Sequence, residues 1–372
     1  MNKYILPVQE FKEPLSPSFF EVSSEKISVN KISSILKKES KSIRVSVLMR
    51  EKIVKRNKNS IIKQIMLIFT DPTFLFGPIE FVHSEKQNFL EKIKFFVDKN
   101  LPVECTLMAF PFKIPVPLKT NRITPDLGEL LSLNFLYGLC SLVKKIYKPG
   151  LILNILTEDT FYPFAFISKE EANFYQEQLE KLNKMFGFDS VIKFHRLSKI
   201  IEKSENFKKV FNAIQAKNRK TAKTNRKIKE VLPSMLRIIN TRSYNKNLLY
   251  SLYKKANVKD LGGLYVKISQ KAISGSLSYI SFLEARDKVG LIEKAFPFNI
   301  KLSYTPKAGR IGIKPGGPNM KLLSIHSIPV LRKNKNSFST EYLFDIENDG
   351  CSYEAIYYKN DVEKKPFFYI EK

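Results

Sequence analysis

Apolar positions recur at helical spacing over residues 31–50 and again over SEKQNFLEKIKFFVDK, 84–99, where Ser84 is a suitable N-cap and Asn100 a suitable stop. The pattern then changes. VECTLMA, 103–109, is short, apolar and rich in β-formers, and predicts a buried strand. Residues 126–147 return to helical spacing, with Asp126 and Glu129 near the start and Lys144, Lys145 and Lys148 near the end, the charge order that the helix dipole favours. KPG at 148–150 ends that helix, and LILNIL, 151–156, predicts a second buried strand. A nearly continuous apolar strand after a β-loop-α unit points to an α/β protein with a mostly parallel sheet covered on both faces. FYPFAFI, 161–167, predicts a third strand, after which Ser168 caps a helix, Glu171 completes its capping box and Gly187 ends it.

The remaining chain is less regular. The first 30 residues hold Pro7, Pro14 and Pro17 and show no sustained period, so they are expected to be irregular. Residues 243–295 read as helical, with breaks at LGG (261–263) and SGS (274–276). Beyond Pro297 the pattern is of strands: 300–305, 310–314, 327–332, 337–344, 351–358 and 367–371. The expected organisation is an N-terminal, partly helical extension (1–83), the first part of an α/β core (84–205), a basic helical segment (206–295), and C-terminal strands that complete the core (296–372).

Charge adds to this picture. Lys and Arg number 63 against 36 Asp and Glu, a net charge of +27, which draws in anionic partners without choosing among them. Residues 206–229 alone carry nine Lys/Arg and no acid. They read either as a nucleic-acid contact or as a solvated helix with an apolar edge through Phe207, Val210, Phe211 and Ile214, and no RNA-binding motif accompanies them. No run of eighteen uncharged apolar residues predicts a membrane span, and the opening segment lacks the features of a signal peptide, so a cytoplasmic location is expected. Three scattered cysteines, Cys105, Cys140 and Cys351, argue against a disulfide framework and a structural zinc site; the first two read as core residues.

The motifs are more specific. Ala109-Phe110-Pro111-Phe112-Lys113 ends the first strand, Pro125-Asp126-Leu127-Gly128-Glu129 opens the next helix, Gly138-Leu139-Cys140 lies within it, and Tyr147-Lys148-Pro149-Gly150 follows it. AFPFNIKLSYTPK (295–307), RIGIKP (310–315) and LLSIHSIPVLRK (322–333) form a second set. This arrangement resembles the isonitrile (isocyanide) synthases of the pyoverdine/dityrosine biosynthesis family over roughly residues 90–200 and 285–345. The resemblance implies a Rossmann-like fold and condensation of the amino group of L-tyrosine or L-tryptophan with C2 of ribulose 5-phosphate. It further implies that neither metal nor organic cofactor is needed, and that the product passes to an iron- and 2-oxoglutarate-dependent oxygenase. Three departures stand out: Ile114-Pro115-Val116 replaces the family's serine-proline-asparagine, Ser303-Tyr304-Thr305-Pro306 lacks its histidine, and Thr157-Glu158-Asp159 replaces its SDG.

The residue chemistry can be read beside the resemblance. A phosphate monoester carries close to two negative charges and calls for Lys or Arg near strand ends, where α/β proteins bind ligands. Lys113, Lys301, Lys307, Arg310 and Lys314 are the candidates. Imine formation and the later C–C cleavages need proton transfer near neutral pH, best served by histidine or a carboxylate with a raised pKa. His326 stands where the family has the histidine of its TPWH segment, whereas His83 and His195 lie outside the motifs. Asp126 and Glu129 are read two ways: as a helix capping pair, or as carboxylates that orient the substrate ammonium or pair with Lys113. Glu158 and Asp159 are further carboxylates at the same sheet edge. The rival reading is a binding protein that takes nucleic acid or anionic lipid on its positive surface.

Overall fold

The computed structural model describes residues 20–48, 58–113, 119–157, 159–161, 168–222, 224–243, 261–305, 307–317 and 319–372. The helix expected over 31–50 is α1 (Val29–Leu48), but a strand, β1 (Phe20–Ile27), precedes it where an irregular segment was expected. The reason is non-local: the partner of β1 is a strand near the other end of the sequence. Next come α2 (Lys58–Phe69), α3 (Glu80–His83) and α4 (Lys86–Asp98), then β2 (Val103–Met108), α5 (Leu127–Ile146) and β3 (Leu151–Thr157). β2 and β3 pair in parallel over their whole length, as the apolar runs predict. Of the third expected strand, Phe161 lies in a single helical turn (Asp159–Phe161) and 162–167 fall outside the described residues.

α6 (Lys169–Met185) has the predicted box: Ser168 Oγ accepts from Glu171 N at 3.1 Å, and Ser168 N donates to Glu171 Oε2 at 2.8 Å. β4 (Ile192–Arg196) and α7 (Leu197–Glu202) follow, and the basic segment forms α8 (Phe207–Lys220) and the start of α9 (Arg226–Ser243). The apolar edge of α8 packs with Leu197, Phe282 and Leu291, while its lysines face solvent. α10 (Leu261–Lys288) runs unbroken through Ser274-Gly275-Ser276, so the expected break is absent. Gly275 and Ser276 are buried, and Ser276 Oγ donates to Ala272 O one turn back, so these small residues serve close packing.

The C-terminal strands divide between two sheets. β5 (Ile300–Ser303) and β6 (Ile311–Gly312) join the first, an all-parallel sheet in the order β4-β3-β2-β5-β6. β7 (Ile328–Arg332), β8 (Ser337–Glu341), β9 (Tyr353–Tyr358) and β10 (Phe368–Glu371) form a mixed sheet with β1, in the order β1-β9-β10-β7-β8. Residues 337–344, expected as one strand, turn into a short helix at Leu343. α5 packs on β3 and also against β7, so it is the common element between the sheets. That position explains why the first ten residues of α5 are all buried, Asn134 and Ser132 included. The result is a Rossmann-like α/β core with helices on its parallel sheet and a second, mixed sheet beyond α5.

The edge of the parallel sheet is closed by residues 74–76. Phe76 N donates to Gly312 O at 3.1 Å and Lys314 N to Phe74 O at 2.8 Å. A Cβ on Gly312 would lie 1.9 Å from Phe76 O, so the pairing requires glycine. Gly312→Ala is therefore expected to lower stability by about 2–4 kcal/mol. The check is a urea unfolding curve; an unchanged midpoint would show that the edge can shift freely.

Candidate active site

In the parallel sheet the chain moves from β2 to β3 to β4 in one direction and places β5 and β6 on the other side of β2. Strand order thus reverses between β2 and β5, and in open α/β sheets the crevice beyond the carboxyl ends of such strands is where ligands bind. A cavity of about 320 Å³ lies there. Its walls are residues 108–112 after β2, 303–305, Lys307 and Arg310 after β5, the turn 323–326 before β7, and Tyr279, Leu283 and Arg286 from α10.

The AFPFK turn is held in an unusual shape. Phe110 has φ +50°, a left-handed conformation that an aromatic residue adopts only when its surroundings impose it, at a cost of about 1–3 kcal/mol. The imposing group is the buried Gln176 of α6, whose amide donates to Phe110 O and, at 2.8 Å, to Pro111 O. Strand β2 is thereby turned away from the sheet, with Phe110 and Phe112 on the cavity wall and Lys113 beyond them.

Lys113 is 2% exposed. Its Nζ donates to Asp126 Oδ2 at 2.6 Å and to Glu129 Oε2 at 3.1 Å, and both carboxylates are fully enclosed. The two acids also build the capping box of α5: Asp126 N donates to Glu129 Oε2 at 2.8 Å, and Gly128 N to Asp126 Oδ1 at 2.8 Å. Capping and pairing with Lys113, weighed as alternatives from the sequence, are made by the same two carboxylates: Asp126 caps with Oδ1 and meets Lys113 with Oδ2, while Glu129 Oε2 does both. Tyr175 OH adds a bond to Glu129 Oε1 at 3.4 Å. One ammonium faces two carboxylates, and the imbalance is met by a proton. Burial above all, with the Glu129 charge adding, pushes Asp126 up to about 8 against the opposing pull of Lys113 and Arg122.

That proton has a consequence for stability. The folded state keeps it on Asp126 at pH values where the unfolded chain, with an ordinary aspartate, has lost it. This group therefore makes stability fall as pH rises between about 4 and 8. Asp126→Asn keeps the capping oxygen and removes the titration. Its unfolding free energy is expected to fall less steeply than the wild type's over that interval in urea titrations, and parallel slopes would contradict the assignment.

His326 lies on the cavity wall in the turn before β7. Burial, helped by the ammonium groups of Lys119 and Lys113 and opposed by Glu129, lowers it to about 4, so it is a neutral imidazole at physiological pH. The first turn of α5 abuts the same segment: a Cβ on Gly128 would lie 3.3 Å from Ser324 Cβ. The capped end of α5 and the His326 turn are thus in direct contact.

Of the residues singled out from sequence, the structure brings His326, Lys307 and Arg310 to one cavity, and Lys113, Asp126 and Glu129 together behind it. Lys301 is placed elsewhere, paired with Glu293, and Lys314 donates to Pro72 O at 2.6 Å. Asp159 caps α7 through Ser198 N at 2.9 Å, while Glu158 lies outside the described residues. His195 bonds Asn154 at 2.9 Å, and His83 is exposed on α3. Cys105 and Cys140 are buried, as expected of core residues. Among the described residues no three His, Cys, Asp or Glu are grouped to hold a metal ion, and no helix is long and apolar enough to cross a membrane. Arg286, Tyr279 and Leu283 were missed, because α10 gave only a broken helical pattern. Their i, i+4, i+7 spacing is the one signal that could have found them.

A family model described as "Pyoverdine/dityrosine biosynthesis protein" matches residues 93–315, a span that includes β2, the AFPFK turn, the α5 cap, α10 and the 303–310 loop. The chain belongs to the pyoverdine/dityrosine biosynthesis family. L-tryptophan isonitrile synthase AmbI2 of Fischerella ambigua is 35% identical over 103 residues, 27% of this chain and 31% of that protein. L-tyrosine isonitrile synthase of Xenorhabdus nematophila is 27% identical over 253 residues, 64% of this chain and 68% of that protein. A crystal structure of the PvcA protein from Pseudomonas aeruginosa superposes with a TM-score of 0.62 at 18% identity, covering 84% of this chain and 99% of that one, which shows a shared fold. His326 lies beyond the family match, and the structure nonetheless sets it in the same cavity as Lys307 and Arg310.

Proposed function

We propose that this protein is an isonitrile synthase that joins the amino nitrogen of an aromatic L-amino acid, tyrosine or tryptophan, to C2 of ribulose 5-phosphate, the carbon that becomes the isonitrile carbon. The observation that carries this reading is the meeting of Lys307, Arg310, neutral His326 and the aromatic wall of Phe110 and Phe112 in one cavity at the switch point of the sheet. Family membership and the names of the relatives in Fischerella and Xenorhabdus support it.

In this reading Lys307 and Arg310 hold the phosphate, where two cations near the rim balance a group of nearly two negative charges. The amine must be neutral to attack the ketone, and the carbinolamine must then lose water. An imidazole that is unprotonated before substrate arrives is ready to accept the proton released in the attack and to return it to the departing hydroxyl. The phosphate also counters the nearby ammonium charges that depress His326, raising its basicity when the sugar is bound. Lys113, Asp126 and Glu129 act from behind the wall, fixing the α5 cap and so the position of the His326 turn. The isonitrile then passes to an iron- and 2-oxoglutarate-dependent oxygenase. The test is incubation of purified protein with tyrosine or tryptophan and ribulose 5-phosphate labelled at C2, followed by trapping with a tetrazine. A labelled adduct is expected, and its absence with both amino acids refutes the activity.

A further inference from the structure

Resting on that reading, we propose that Arg286 of α10 binds the α-carboxylate of the amino acid, and that α10 forms the amino-acid side of the cavity while Lys307 and Arg310 form the phosphate side. Arg286 lines the cavity and is 5% exposed. Its Nη1 lies 2.9 Å from Met108 Sδ at the end of β2, and a thioether is a weak acceptor for a guanidinium. Nε and Nη2 meet one oxygen of Asp287, each at 2.8 Å, but the Asp287 side chain is 65% exposed. A carboxylate that faces water compensates a buried cation poorly. Glu293 feels the Arg286 charge but is itself bonded to Lys301. Among the described residues the guanidinium therefore sits at a cavity wall without a buried anion of its own, where an incoming carboxylate restores the balance.

Charge and shape assign the two anions of the substrate pair. A guanidinium fork matches one carboxylate bidentately and carries one charge for one charge. A phosphate monoester carries nearly two, and Lys307 and Arg310 supply two cations from a separate segment of the same wall. On α10, Tyr279 and Leu283 share the Arg286 face at i, i+4, i+7 spacing, so the helix presents a cation followed by two apolar bodies. One helical turn is about 5.4 Å, close to the distance from an amino-acid carboxylate to its own aromatic ring. An amino acid anchored at Arg286 thus lays its ring against Leu283 and Tyr279.

The test uses tyrosine and tryptophan beside their decarboxylated amines, tyramine and tryptamine, on wild-type protein, Arg286→Gln and Arg286→Lys. In Arg286→Gln the KM for the amino acid is expected to rise about 10- to 100-fold, the worth of a charged hydrogen-bonded pair, with the KM for ribulose 5-phosphate within about twofold of wild type. The amines should react at the same low efficiency in wild type and variant, and Arg286→Lys should recover part of the loss. A rise in the KM for ribulose 5-phosphate in place of the amino acid's overturns the assignment. So does wild-type protein that uses the amines as well as the amino acids, a result that needs no variant and stands if Arg286→Gln does not fold. Failure of wild-type protein to make isonitrile from any pair refutes the activity itself. In that case calorimetric titration of tyrosine against tyramine still decides the carboxylate site, and equal binding, or none, overturns it.

Discussion

Replacing Lys113 by methionine is expected to destabilise the protein by about 3–5 kcal/mol near neutral pH, the cost of leaving buried charge without its partner. Asp126 and Glu129 would remain enclosed with no ammonium between them. Loss of Lys113 removes the main pull that opposes the rise at Asp126, so its carboxyl keeps a proton to still higher pH and the folded variant binds more protons than its unfolded chain. The sign follows: the variant's deficit grows as pH rises through about 8, where the wild type releases the Asp126 proton that the variant retains, and it is level below that interval. Urea unfolding at about pH 6 and about pH 9 checks this, and a deficit of the same size at both would mean that Lys113 does not act through the Asp126 charge. The double variant Lys113→Met with Asp126→Asn should recover part of the loss, since the two residues share one interaction.

The second large effect concerns His326. His326→Gln is expected to lower kcat about 10²- to 10⁴-fold, the usual worth of a positioned acid–base group, without loss of fold. In wild-type kcat/KM, which reports free protein and free substrate, the loss due to His326 should appear only as pH approaches about 4, below the limb set by the substrate's own amine, because burial and two ammonium groups hold the imidazole neutral. The kcat profile, which reports the protein with sugar phosphate bound, should lose activity at a higher pH, because a phosphate raises the imidazole's proton affinity. Acid limbs at the same pH in both profiles, or a variant with wild-type kcat, would remove His326 from the reaction.

How much of this was legible in the sequence varied with the range of the interactions involved. The β2-α5-β3 unit could be read because each element is apolar at its own period and is closed by local chemistry, the Asp126-Glu129 cap and the Lys148-Pro149-Gly150 stop. Rossmann-like topology came with the family motifs. The pairing of β1 with β9 could not be read, since nothing within Phe20–Ile27 names a partner near the far end of the chain. The unbroken α10 was hidden because glycine and serine count as helix breakers in an exposed segment, whereas here they are buried where helices pack closely. Within the site, the polar residues of the motifs were identified as types, but their division was not. AFPFK reads as a rigid turn presenting a lysine; the structure instead presents Phe110 and Phe112 and turns the lysine inward to two acids. Arg286 in EARDK resembles any surface charge, and only packing against Met108 distinguishes it.

The parallel pairing of β1 with β9 also bears on how the protein is made. Strand β1 leaves the ribosome when almost none of the mixed sheet exists, and at about 5–20 residues per second its partner follows on the order of tens of seconds later. Throughout synthesis its backbone donors and acceptors are an open edge, able to pair with other nascent chains. The parallel sheet has no such wait for β2 and β3, which are nearly consecutive and can associate early. The second sheet thus cannot be completed until β9 and β10 have been made, long after β1 has left the ribosome.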